Sequence, residues 1–166
     1  MNLDDILLAA QNGKKLTKEE TIQLLNIQNY SPDFYKLLAL ANQMSRMEYG
    51  NRGYVFAQIG MNAEPCSANC KFCSMGKHHY SLESTWGKNI QEIIAELEQL
   101  LIHKIDDFFL MTTADYPIEK YLTIASQVKR YLPQGVRFVA NIGDFDQKNA
   151  RDLKEAGFTG AYHIKR

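Results

Sequence analysis

The sequence predicts an α/β protein: a helical N-terminal extension over residues 1–50, then about four βα units of a partial, TIM-like barrel over residues 51–166. Two observations carry this. Up to Gly50 the apolar residues recur at helical spacing, and from Tyr54 onward strand-like and helix-like stretches alternate to the end of the chain.

The extension holds two start signals. Thr17-Lys-Glu-Glu20 has the spacing of a capping box, in which the Thr hydroxyl and the Glu carboxylate satisfy each other's free backbone N–H groups. Ser31-Pro32 offers an N-cap followed by proline at the first helical position, where the missing N–H is not needed. In the helix expected from Pro32 to Glu48, Phe34, Leu37, Leu38, Ala41 and Met44 repeat at helical spacing and are expected to face a core. The barrel elements then run as a strand from Tyr54 to Met61, a helix from Lys88 to His103, a strand from Asp107 to Thr113, a helix from Ile118 to Leu132, a strand from Val136 to Ile142, a helix from Asp146 to Ala156 and a strand from Gly160 to Lys165. The second and third strands are apolar with few interruptions, as in a parallel sheet covered by helices. Gly135 and Gly157 stand where helices should end.

Size and charge narrow the function. A hydrophobic content of 45% with 11% aromatics is ample for a buried core. Lys plus Arg and Asp plus Glu both number 19, so the formal charge is zero and no long-range field gathers nucleic acid or an anionic membrane. A small-molecule substrate is expected. No run approaches the roughly 20 apolar residues that cross a bilayer, and Met-Asn-Leu-Asp-Asp lacks the basic and apolar regions of an export signal. A cytoplasmic location is therefore expected, where thiols stay reduced.

All three cysteines fall in Cys66-Ser-Ala-Asn-Cys70-Lys-Phe-Cys73, directly after the first predicted strand. Three thiolates on one loop can hold three irons of a cubane cluster and leave the fourth iron open to a non-protein ligand. Zinc is a competing reading, with His78 or His79 as the fourth ligand. Disulfide bonding suits an odd count poorly, and a two-cluster ferredoxin would need a further cysteine. A third reading is a degenerate half-barrel that serves only as an interaction module. Glu64-Pro65 forms a rigid approach to the loop, and a surface turn with Gly76 accounts for the paired histidines without any ligand role.

With Phe72 immediately before the last cysteine, the C-x3-C-x2-C spacing resembles the signature of the radical S-adenosylmethionine superfamily. The stretch from Gly53-Tyr-Val-Phe-Ala-Gln-Ile-Gly-Met-Asn-Ala-Glu-Pro-Cys66 through Gly157-Phe-Thr-Gly-Ala-Tyr-His163 is similar to the biotin synthase-related branch, and residues 51–166 resemble the first half of its barrel. The resemblance implies that Cys66, Cys70 and Cys73 ligate a 4Fe–4S cluster whose open iron chelates S-adenosylmethionine. It implies an enzyme in which an electron, from a donor such as flavodoxin or ferredoxin, cleaves the sulfonium to a 5′-deoxyadenosyl radical that abstracts hydrogen from substrate. The organic reactivity is the cofactor's, and the protein positions the partners.

The resemblance also implies cofactor contacts. Phe72 would pack beside the adenine. Thr113-Ala114-Asp115 occupies the position of the family's Gly-Gly-Glu type segment, which binds the methionine amino group; this sequence departs from that pattern, but a carbonyl and an aspartate can still accept from an ammonium. A plain βα turn, with Asp115 near the start of the next helix, is the alternative there. Asn141, with Gly143 and Asp144, lies past the third strand and is expected near the barrel mouth, or in a turn with Asp144 or Asp146 capping the next helix. His163 and Arg166, on the fourth strand, would lie near the ribose and carboxylate, Arg matching a carboxylate with its fork.

A full barrel of this family has more βα units than the four read here. The chain is accordingly expected to be a truncated product, a domain completed by another chain, or a half-barrel that self-associates through the open edge of the fourth strand.

Overall fold

The computed structural model describes residues 2–162. The chain divides into two compact units, Met1–Gly53 and Tyr54–Arg166.

The first unit is helical. Its α1 (Leu3–Gln11), α2 (Lys18–Leu25) and α3 (Pro32–Glu48) each begin on a side-chain cap. The Asn2 side chain accepts from the Asp5 N–H at 2.8 Å, and Thr17 and Glu20 form the reciprocal box at 3.2 and 2.7 Å. Ser31 accepts from the Phe34 N–H at 3.2 Å, just ahead of Pro32. One expectation is corrected here. Leu38, Ala41 and Met44 are exposed, while Phe34 and Leu37 are half-buried together with Leu40. Helical spacing identifies a stripe that can be buried, but it does not say how wide a partner covers it. The half-buried residues of α3 follow an i, i+3 row through Phe34, Leu37 and Leu40, narrower than the stripe the sequence offers.

The second unit is built on a parallel sheet in the order β1 (Phe56–Gly60), β4 (Asp107–Met111), β5 (Arg137–Asn141) and β6 (Gly160–Tyr162). The helices α4 (Ile90–Leu101), α5 (Ile118–Val128) and α6 (Gln147–Glu155) connect them in chain order. This is the βα series of a partial, TIM-like barrel. A two-residue antiparallel pair, β2 (Asn62–Ala63) with β3 (Trp86–Gly87), brackets the cysteine loop.

Alternate residues of each strand serve different faces. Ala57 and Ile59, Phe108 and Leu110, and Phe138 and Ala140 are buried in one core with Ile93 and Leu97 of α4, Tyr121, Ile124, Ala125 and Val128 of α5, and Leu153 of α6. Phe138 stacks on Phe158 with ring centroids 4.0 Å apart. The opposite set of residues carries Phe56, Phe109 and Tyr162, whose rings meet in sequence at 6.2 and 5.5 Å. Phe56 and Tyr162 are exposed. At the start of these strands the buried Asp107 carboxylate accepts both arms of the Arg137 guanidinium at 2.5 and 2.6 Å. Gly135 and Gly157 adopt φ of 95° and 100°, the left-handed conformation that glycine takes without steric cost after a helix.

Candidate metal and cofactor site

The cysteine loop leaves the C-terminal end of β1 and folds back on itself. The Cys66 N–H donates to the Met75 carbonyl at 2.7 Å, and the Lys77 N–H donates to the Cys66 carbonyl at 3.1 Å. Along the loop, four-residue turns run from Cys66 to Asn69, Cys70 to Cys73, Cys73 to Gly76 and Gly76 to His79. Asn69 takes φ of 48°, which a short polar side chain tolerates, and its amide engages the His78 ring at 2.8 Å and accepts from the His78 N–H at 3.1 Å. The His79 ring bonds the Cys73 carbonyl. Gly76 leaves room for this packing, because a Cβ there would lie 2.5 Å from the His79 ring and displace it. Both histidines are thus used to shape the loop. Cys66 is buried, and Cys70 and Cys73 are half-buried.

The segment after β4 holds the loop from one side. Buried Asn62 and buried Thr113 exchange hydrogen bonds, with the Thr113 N–H donating to the amide oxygen at 3.0 Å and the amide nitrogen donating to the Thr113 hydroxyl at 2.8 Å. The same amide nitrogen also donates to Glu64. The Ala114 N–H points at Cys66 Sγ, 3.4 Å away. Asp115 accepts from the Ser67 N–H at 2.6 Å and from the Ser67 hydroxyl.

The segment after β5 closes the rim. The Thr112 N–H donates to the Asn141 carbonyl at 2.9 Å. Buried Tyr121 reaches up from α5, donating to the Leu110 carbonyl at 2.8 Å and accepting from the Asn141 N–H at 3.2 Å. Burial pushes the Tyr121 hydroxyl well above its ordinary range. Gly143 lies so close to Ala114 that a Cβ would stand 2.1 Å from the Ala114 carbonyl oxygen. Asp146, not Asp144, caps α6.

These segments surround a cavity of about 400 Å³ lined by all three cysteines. Of the other residues the sequence singled out, Phe72, Thr113, Ala114 and Asn141 line it, and Asp115 does not. Phe72 is 82% exposed, at the open side. His163 and Arg166 lie outside the described residues. Among the described residues no three His, Cys, Asp or Glu side chains gather as ligands of a single metal ion.

Sequence reasoning missed several wall residues. Met75, Met111, Ile142 and Trp86 make most of the wall apolar, and Trp86 is the only tryptophan of the chain. Asn62 and Tyr121 also went unnoticed, because their partners lie 51 residues away in one case and 20 and 11 in the other. The one available signal was Asn62 itself, a polar residue just past an apolar strand.

No protein-family model matches the chain. It is 30% identical over 156 residues to a biotin synthase of Desulforudis audaxviator, covering 92% of this chain and 47% of the relative. A biotin synthase of Citrifermentans bemidjiense is 25% identical over 174 residues, covering 97% and 49%. The chain spans about half the length of the curated relatives it matches. Among solved structures, methylornithine synthase (PylB) matches with a TM-score of 0.78 at 18% identity, over 94% of this chain and 46% of that one. The FeFe-hydrogenase maturase HydG from Carboxydothermus hydrogenoformans matches with a TM-score of 0.70 at 20% identity, over 96% and 37%. The two structures share the fold with this chain.

Proposed function

From the premise that this chain is a relative of the biotin synthase-related branch of the radical S-adenosylmethionine superfamily, we propose that it binds a 4Fe–4S cluster and S-adenosylmethionine. The observation that carries this reading is that three cysteines of one loop line a single cavity together with Phe72, Thr113, Ala114 and Asn141. A cubane places its thiolate ligands on separate irons. Three sulfurs of one loop that line a single cavity suit that donor pattern.

Cys66, Cys70 and Cys73 would hold the cluster. Phe72, at the open side, would cover the adenine, and Thr113, Ala114 and Asn141 would face the rest of the nucleotide; His163 and Arg166 retain the ribose and carboxylate roles the family suggests. Bound together, the pair supplies one-electron cleavage of a sulfonium carbon–sulfur bond and a carbon radical that removes hydrogen from a small substrate. The protein's own part is to shield that chemistry. The apolar wall of Met75, Trp86, Met111 and Ile142 would offer water few partners beside the centre. A reduced carrier such as flavodoxin or ferredoxin would supply the electron, and the exposed aromatic face of the sheet would meet further βα units of the same or another chain.

Anaerobic reconstitution tests the reading. A brown protein with about four irons per chain and visible charge-transfer absorption is expected, with the iron lost in Cys70→Ser. His78→Ala and His79→Ala loosen the loop but remove no ligand in this reading, so both should still take up iron. A colourless protein that takes up only zinc, and loses it with either histidine, would overturn the proposal.

A further inference from the structure

The acidic residue after β4 is engaged by the cysteine loop. Asp115 receives both the N–H and the hydroxyl of Ser67, across 48 residues of sequence. Ser67 is the residue after Cys66, and Asp115 is the residue after Ala114. One step back along each strand of this clamp, the Ala114 N–H meets Cys66 Sγ at 3.4 Å. A carboxylate that accepts two bonds from one residue fixes that residue's position more firmly than a single contact does. The clamp therefore sets the distance between a main-chain dipole and a sulfur.

We propose that Asp115 is a positioning residue of the metal centre: by clamping Ser67 it holds Cys66 Sγ against the Ala114 N–H and so raises the reduction potential of the cluster. The inference rests on the cluster reading above. An N–H aimed at a ligand sulfur favours the more negative, reduced state, and hydrogen bonds to the sulfurs are among the factors that set such potentials. The role differs from direct binding of the methionine amino group, because here the carboxylate serves the loop and does not line the cavity.

The test must separate hydrogen bonding from charge, since removing a carboxylate alone also makes a cluster easier to reduce. Asp115→Asn and Asp115→Ala are both neutral, but only Asn keeps an acceptor for Ser67. In the reconstituted full chain, a redox titration followed by visible absorption and electron paramagnetic resonance should place the Ala variant below the Asn variant. The expected gap is at least tenfold in the one-electron equilibrium constant, about 59 mV. In the metal-free chain, iodoacetamide should label Cys66 at least tenfold faster in the Ala variant than in the Asn variant, as read by peptide mass spectrometry. Equal potentials at equal iron content overturn the inference and leave the cluster reading standing. If the wild-type chain takes up no iron, the cluster reading and the potential fall together, and the labelling rates alone decide whether the clamp protects Cys66. Should Asp115→Ala fail to fold, Ser67→Ala against Ser67→Thr makes the same comparison through the hydroxyl.

Discussion

Gly143→Ala probes the rim where two loops touch. The backbone of Gly143 lies outside the left-handed region, so an alanine could adopt it, and only space opposes the change. The added Cβ would lie 2.1 Å from the Ala114 carbonyl oxygen and 2.9 Å from the Ala114 carbonyl carbon and Cα. Contacts of this kind stay above 3.0 Å, so the loops must part by roughly 0.9 Å. Both partners are main chain, and no rotamer change relieves the overlap. Overpacking of this kind costs about 1–3 kcal/mol. The same displacement disturbs the Ala114 N–H that stands 3.4 Å from Cys66 Sγ. Urea denaturation monitored by circular dichroism measures the loss. Gly160→Ala, with nothing within 4 Å of its Cβ, is the control and should stay within about 0.5 kcal/mol of wild type. If Gly143→Ala is as stable as wild type and keeps Cys66 as protected, the close approach does not govern the rim and the reasoning fails.

Two further outcomes follow from buried polar groups. Asn62→Ala leaves the buried Thr113 N–H without its acceptor and should cost about 1–3 kcal/mol in the same denaturation assay. Tyr121→Phe removes the bonds to Leu110 and Asn141 and should cost about 1 kcal/mol at neutral pH. Its pH dependence has a definite sign: burial raises the folded-state pKa, so the tyrosine's contribution is complete below about pH 10 and is lost above it, by up to about 1.4 kcal/mol per pH unit. Melts from pH 7 to 11 should therefore show a shallower alkaline decline in the phenylalanine variant; parallel declines would refute the assignment.

What the sequence made legible was local. The Thr17 and Glu20 box, the Ser31 cap, the glycines after helices and the cysteine spacing are all encoded within a few residues, and each is found in the fold. The βα alternation was legible because each element has its own period. The β2 and β3 pair was not, since two residues carry no period and the partners lie far apart in the chain. Asn62, Tyr121 and Gly143 were hidden for a related reason: their roles exist only once β1, β4 and β5 are side by side. Asp115 was noticed for its acidity and its place after a strand, but its partner Ser67 could not be read from either. The stripe of α3 failed differently, because periodicity tells which residues share a side and not how much of it is covered.

The loop from Cys66 to His79 closes through its own main chain and through Asn69, His78 and His79. A segment that already holds its shape has little chain freedom left to surrender when something fills it. Inorganic centres of the kind proposed are vulnerable to oxygen, and a standing mould lets a damaged one be replaced without remaking the surrounding backbone. Recovery after exposure to air would then be limited by the supply of iron and sulfide, and not by refolding.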